Sequence, residues 1–303
     1  MRTLPKVIST SVVIAALAMT ATWGFAQQLP VLNVRQVKGP IYWVEGGTGN
    51  TGFIVAPNSV IVIDAKQNAP IAKAVLAEIA KITPKPVTHV ILTHSDGDHV
   101  NGLAGFPAGL TIIAHENCRK EMENSLDHPN PQPGASSVIT VPRDRLPNQL
   151  IKQTQDLTID GVRLRLVHLG PAHTSGDLMV YLPEQNVVFT GDLVVTALTQ
   201  NNYPDALIKQ DKNGISSGWI ESEKALIALN AEVYVPGHGS ALQTRDDLEK
   251  RLKVVEDRRT KITQLVAQGK SLDEIKAAVD PGRPPDRFPT FTEVVYNEVS
   301  RKK

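Results

Sequence analysis

An apolar, β-branched run, Val87 to Thr93, ends directly on His94-Ser95-Asp96-Gly97-Asp98-His99. A buried strand therefore delivers two imidazoles and two carboxylates onto one short loop, and a site at that strand's carboxyl end is implied. Ser95 and Gly97 add almost no bulk, so four ligand-type side chains can converge within six residues. A solvated turn needs neither the histidines nor a strand aiming them; His and carboxylate clusters of this kind are the signature of a metal site.

Three further loops carry matching residues. Gly170-Pro-Ala-His173-Thr-Ser-Gly176-Asp177 follows one strand, Gly191-Asp192 ends another, and Pro236-Gly237-His238-Gly239 ends a third. Each brings a ligand-type residue flanked by glycine, which lets the backbone turn sharply and approach closely. Alone, a GD or a GHG is weak evidence; four such loops in order are not.

The rest of the chain reads as strands punctuated by helices. Ile41 to Val44, Gly52 to Ala56 and Val60 to Ile63 form a β meander, and Asn68 to Ile82 has helical spacing with Asn68 as cap and Pro84 as stop. Further strands are expected at Thr111 to Ala114, Leu157 to Ile159, Val162 to Leu166, Leu178 to Leu182, Val187 to Thr190 and Val233 to Val235. Asp127 to Gly134 and Asn201 to Gly218 read as loops. From Arg245 the chain turns helical, breaks at Pro281 to Pro289 and closes with a helix around Phe291 to Val299.

Composition limits the alternatives. With 303 residues, 41% hydrophobic and 21% charged, the chain is an ordinary folded protein with room for a sizeable core. A net charge of +1 offers no surface for neutralising phosphates, so nucleic acid is not an expected partner. Arg2 and Lys6, the uncharged run Val7 to Met19 and Gly24-Phe25-Ala26 make the three-part pattern of a signal peptide cleaved after Ala26. That apolar run is shorter than the ~20 residues a membrane span needs. The expectation is a periplasmic or secreted protein with no membrane span after cleavage and a mature charge of −1. Cys118 is the single cysteine, so no intramolecular disulfide forms, and a half-buried structural thiol is expected.

On these motifs, from about Val34 to Ser240, the sequence resembles the metallo-β-lactamase superfamily, whose motif order is an early Asp after a strand, H-x-H-x-D-H, a His, a bridging Asp and a late His. The resemblance implies an α+β fold, a four-layer αβ/βα sandwich, here with a C-terminal helical extension. It implies domains at 1–26 (signal peptide), 27–244 (catalytic) and 245–303 (helical extension). Carried over, His94, Asp96 and His173 hold one metal, Asp98, His99 and His238 the other, and Asp192 bridges them. Asp64 matches the early Asp that supports the metal loop from behind.

The expected activity is that of an exported dinuclear metal-dependent hydrolase of a small-molecule ester, thioester or amide/lactam. A metal-bridging hydroxide attacks the carbonyl, and Asp98 handles its proton. Two divalent ions are implied, with zinc the first expectation. Asp96 stands where the family usually has His, which makes the site more anionic and brings iron or manganese into view; flavodiiron members carry Glu there. Asp192 separates the chain from true β-lactamases, which have Cys or Ser at that place. The look of the whole is similar to exported glyoxalase II-like (hydroxyacylglutathione hydrolase-like) metallohydrolases. Alternatives are a metallo-β-lactamase, an iron-dependent oxidoreductase such as a persulfide dioxygenase, and a non-catalytic metal-binding accessory protein.

Outside the motifs, His115 and His168 are expected to be hydrogen-bonded structural residues. Asn201, Tyr203 and Trp219 are candidates to border the pocket, Arg283 or Arg287 to contact substrate. Arg251, Arg258 and Arg259 read as a solvated helix face.

Overall fold

The computed structural model describes residues 29–129, 138–196, 206–283 and 288–300. Residues 1–26, the expected signal peptide, and Asn201, Tyr203 and Arg287 lie outside the described residues.

Among the described residues two sheets face each other. The first runs β1 (Asn33–Lys38), β2 (Ile41–Glu45), β3 (Thr51–Val55), β4 (Val60–Ile63), β5 (Val87–Ile91), β6 (Thr111–His115) and β7 (Gln149–Ile151) in spatial order. Pairing is antiparallel from β1 to β4 and parallel from β4 to β7. The second sheet comprises β8 (Gln155–Ile159), β9 (Val162–Val167), β10 (Met179–Leu182), β11 (Val187–Phe189) and β12 (Val233–Val235), antiparallel except between β11 and β12.

The period-two pattern of the strands explains why both sheets are covered twice. On β4, Val60 and Val62 enter the core under α1 (Ala69–Ile82) and α3 (Glu116–Asp127), where Ala72, Val75, Ile79, Cys118 and Met122 sit. Ile61 and Ile63 point the other way, into the layer between the sheets, with Ile91 and Ile113 from one side and Leu166, Val180 and Phe189 from the other. Val188, Met179 and Tyr234 leave the second sheet towards α4 (Ser216–Ala228), α5 (Arg245–Ala267), α6 (Leu272–Val279) and α7 (Phe291–Ser300). The result is helix, sheet, sheet, helix, the expected four-layer sandwich.

Two expectations change. The stretch 201–218 is not all loop, because α4 begins at Ser216. Arg251, Arg258 and Arg259 are not a solvated face: Arg251 pairs with the buried Glu223, Arg258 with Asp280, and Arg259 Nε donates to Ser216 Oγ at 2.9 Å. Helix α5 reads as charged on all sides because these cations reach acids on neighbouring helices, while Leu248, Val255, Ile262 and Val266 bury its apolar stripe. The edge strand β1, in which no residue is buried, and the three-residue β7 gave no alternation to read.

Candidate metal centre

Every motif residue arrives at a strand's carboxyl end. Asp64 follows β4, the one-turn α2 (Gly97–Val100) and its flanks follow β5, and Asp192 and His238 follow the parallel pair β11 and β12. Gly237 makes that last approach feasible, since a Cβ there would lie 2.2 Å from Asp192 Oδ1. Gly191, at φ +54°, turns the chain beside Thr93.

The fold brings His94, Asp96, His173 and Asp192 together as one group, and Asp98, His99 and His238 as another, with ligand atoms in each within 4.8 Å of one another. Asp192 Oδ2 lies 3.7 Å from His94 Nε2, 3.7 Å from His173 Nε2 and 3.3 Å from His238 Nε2; Oδ1 lies 3.3 Å from His99 Nε2. That carboxylate therefore stands between both groups, the position expected of a bridge. All of these residues are buried except Asp98 and His238, whose side chains are 24% and 21% exposed. Those two form the open side, with Asp98 Oδ2 3.2 Å from His238 Nε2.

Fixed partners behind the cluster settle which ring nitrogens carry protons. His173 Nδ1 donates to the carbonyl of Leu207 at 2.8 Å, and His99 Nδ1 donates to Asp64 Oδ2 at 2.8 Å. Thr93 Oγ1 donates to Asp64 Oδ2 at 2.7 Å, which leaves its lone pair for His94 Nδ1 at 2.9 Å. Three imidazoles are thus held by Nδ1 from behind and turn Nε2 into the cluster. His94 Nε2, His173 Nε2 and Asp192 Oδ1 are buried without a hydrogen-bond partner. His99 Nε2 and His238 Nε2 face each other at 3.2 Å. Buried, converging acceptors need a cation among them, and nitrogen and carboxylate oxygen donors in these numbers suit divalent transition metals. The residues present fit a metal centre.

Asp64 holds the cluster from behind. Its backbone adopts φ +60°, and its carboxylate also accepts from Thr93 N at 2.8 Å. This is the geometry expected of a residue that supports the metal loop from behind.

The electrostatics describe carboxylates and imidazoles pressed together. Burial raises the Asp98 carboxyl, but His99 and His238 outweigh it and hold the group down to about 2. Burial likewise works against a charged His238, yet Asp192 and Asp98 push it up to about 10. His94 goes the opposite way, lowered by burial and by the neighbouring His99.

Several residues at the site carried no sequence signal. Lys212 Nζ donates to Asp96 Oδ1 at 2.6 Å and to Ser95 O at 2.8 Å. Lys209 Nζ lies 4.0 Å from Asp96 Oδ2 and 3.3 Å from the centroid of the Phe288 ring. Lys66 is buried with its ammonium on the carbonyls of Val44, Gly46 and Gly49; burial, opposed by Asp64 and Asp98, lowers it to about 7. Glu121 accepts from Ser95 Oγ at 2.5 Å and Ser175 Oγ at 2.6 Å, tying the two ligand loops together. Trp219 does not border a pocket: it is 1% exposed, in the core under α5. Arg283 sits in the turn after α6, its backbone N–H on Asp280 O. His115 and His168 stack at 3.7 Å and bond to Lys152 O and Asp177 O, as expected of structural residues. Cys118 is fully rather than half buried, and burial raises its thiol.

Comparison with known proteins agrees with this geometry. The profile of the metallo-β-lactamase superfamily matches residues 44–238, so the chain belongs to that superfamily. The alpha subunit of 2,4-dinitroanisole O-demethylase from Nocardioides sp. (strain JS1661) is 28% identical over 72% of this chain and 60% of its own length. A linear primary-alkylsulfatase from Pseudomonas sp. (strain ATCC 19151) is 23% identical over 68% of this chain and 44% of its own. The chain thus spans 44% to 60% of the length of these curated relatives. Among solved structures, the stereoselective inverting sec-alkylsulfatase Pisa1 from Pseudomonas sp. superposes with TM-score 0.66 at 19% identity, covering 89% of this chain and 50% of the other. A metallo-β-lactamase from Pontibacter korlensis gives TM-score 0.58 at 17% identity over 75% and 99%. These structural likenesses concern the fold.

Proposed function

We propose that the chain is an exported metallohydrolase that holds two divalent ions, zinc in the first instance, and cleaves an ester, thioester or amide bond in a small molecule. The observation that carries this reading is the convergence of the buried, unpartnered Nε2 atoms of His94 and His173 with His99, His238 and the carboxylate of Asp192 on one cluster, open to solvent only at Asp98 and His238. When bound, the ions supply a water acidified towards neutrality and a Lewis acid for the substrate's carbonyl oxygen.

This chain's own residues do the rest. Asp98 Oδ2 stands at the open side, 3.2 Å from His238 Nε2, placed to accept a proton. Asp64, Leu207 O and Thr93 hold three imidazoles in one tautomer, which spares the site reorganisation during reaction. Asp192, in place of the Cys or Ser of true β-lactamases, supports a hydrolase of other substrates over a dedicated β-lactamase. Resemblance to proteins named alkylsulfatases adds sulfate esters to the bonds worth testing.

The test is a screen of ester, thioester, lactam and alkyl sulfate substrates on the metal-loaded protein, with Asp98→Asn beside it. Turnover of one class, lost at least about a hundredfold in Asp98→Asn with both metals retained, is the expected result. Full turnover by Asp98→Asn removes that residue from proton handling, and oxygen uptake with a persulfide in place of any hydrolysis overturns the hydrolase reading.

A further inference from the structure

The segment that follows the bridging Asp192 returns to brace the first ligand group. Lys209 N donates to His173 O at 2.8 Å, Ser175 N to Lys212 O at 2.9 Å, and His173 Nδ1 to Leu207 O at 2.8 Å. At the end of this brace Lys212, 8% exposed, reaches across the fold to Asp96. Its ammonium occupies Oδ1 of that carboxylate at 2.6 Å, while Oδ2 faces His173 Nε2 at 3.4 Å and His94 Nε2 at 4.0 Å.

Two consequences follow for a carboxylate standing where the superfamily usually has histidine. With one oxygen engaged, Asp96 offers the cluster a single donor atom, as an imidazole does. With an ammonium against it, the pair is formally neutral, again as an imidazole is. Burial strengthens this coupling, since charges out of water are screened little. Lys209 is a weaker contributor, because its ammonium lies over the Phe288 ring and 4.0 Å from Oδ2. Of the other acids that act on Lys212, Asp211 precedes it in the chain, and Glu121 takes its hydrogen bonds from Ser95 and Ser175.

We propose that Asp96 and Lys212 form one charge-compensated ligand, and that Lys212 sets the metal preference of the His94, Asp96 and His173 group towards zinc and away from manganese. A bare carboxylate makes a site harder and more anionic, whereas neutral nitrogen-like donors favour zinc. The inference rests on the metal-centre reading above and adds to it a residue outside the superfamily's ligand motifs.

A double-variant cycle tests it. Wild type, Lys212→Met, Asp96→His and Asp96→His/Lys212→Met are dialysed to equilibrium against mixed zinc and manganese, and bound metal per chain is measured by elemental mass spectrometry. Wild type is expected to take zinc. Lys212→Met raises the manganese-to-zinc ratio about tenfold or more, because Asp96 regains a full charge and a second free oxygen. Asp96→His alone weakens retention of one ion about tenfold or more, because an unpaired ammonium now faces neutral donors, and adding Lys212→Met restores it. Where Lys212→Met alone does not fold, the two Asp96→His proteins decide the matter. Identical metal content in those two proteins, or an unchanged ratio in Lys212→Met, overturns the inference while leaving the metal centre intact. Absence of bound metal from all four overturns both.

Discussion

Asp64 shows most plainly how one side chain serves the whole site. Its carboxylate takes Thr93 N, Thr93 Oγ1 and His99 Nδ1 at 2.7 to 2.8 Å, from a backbone conformation that costs most residues energy. Asp64→Ala is expected to lower metal affinity about 10- to 100-fold while far-UV circular dichroism stays native. Unchanged affinity would make Asp64 a fold residue only. A second residue-scale prediction concerns the stacked His115 and His168. Burial and the neighbouring ring lower His115 from 6.5 to about 4, so the folded state resists its protonation. Stability from this pair is complete above pH 6.5 and is lost as pH falls towards 4, because the unfolded chain binds the proton first. The melting temperature of His115→Gln should therefore fall less than that of wild type across this window; parallel curves would contradict the assignment. Residues of this kind differ in legibility. His94, Asp98 and His99 announce themselves on one loop, whereas Lys212 lies 116 residues from Asp96 with no local pattern around it.

At the scale of elements, the strands deliver ligands and the helices secure the strands. The meander, α1 and the β5 loop were legible because each shows a clean period and a stop, Asn68 capping α1 through Ile71 N as its position suggests. Helix α5 was half legible. Its apolar stripe could be read, but the partners of Arg251 and Arg258 lie on α4 and beyond α6, and no periodicity reveals acids on another helix. Arg251→Ala leaves Glu223, which is fully buried, without its cation. Removing one partner of such a pair costs about 3 to 5 kcal/mol, whereas Arg251→Met with Glu223→Gln is expected to cost less than half as much. Urea denaturation of the two variants measures this, and equal losses would show that the pair contributes through packing alone.

Across the whole molecule, the four layers hold two sheets face to face so that loops from both meet at Asp192. Asp64, His94, Asp96, Asp98 and His99 belong to the first sheet, and His173, Asp192 and His238 to the second. Bound metal therefore cross-links the sandwich, and a chelator should lower its melting temperature as well as its activity. That architecture was inferred from motif order; what motif order could not supply was the charge balance, which Lys209 and Lys212 alter after the chain has folded. The most direct test of the central claim is elemental mass spectrometry on untagged protein purified without added metal. Two ions per chain, mainly zinc, are expected, falling to one or none in Asp192→Ala. Less than one ion per chain after reconstitution, with Asp192→Ala indistinguishable from wild type, would contradict it.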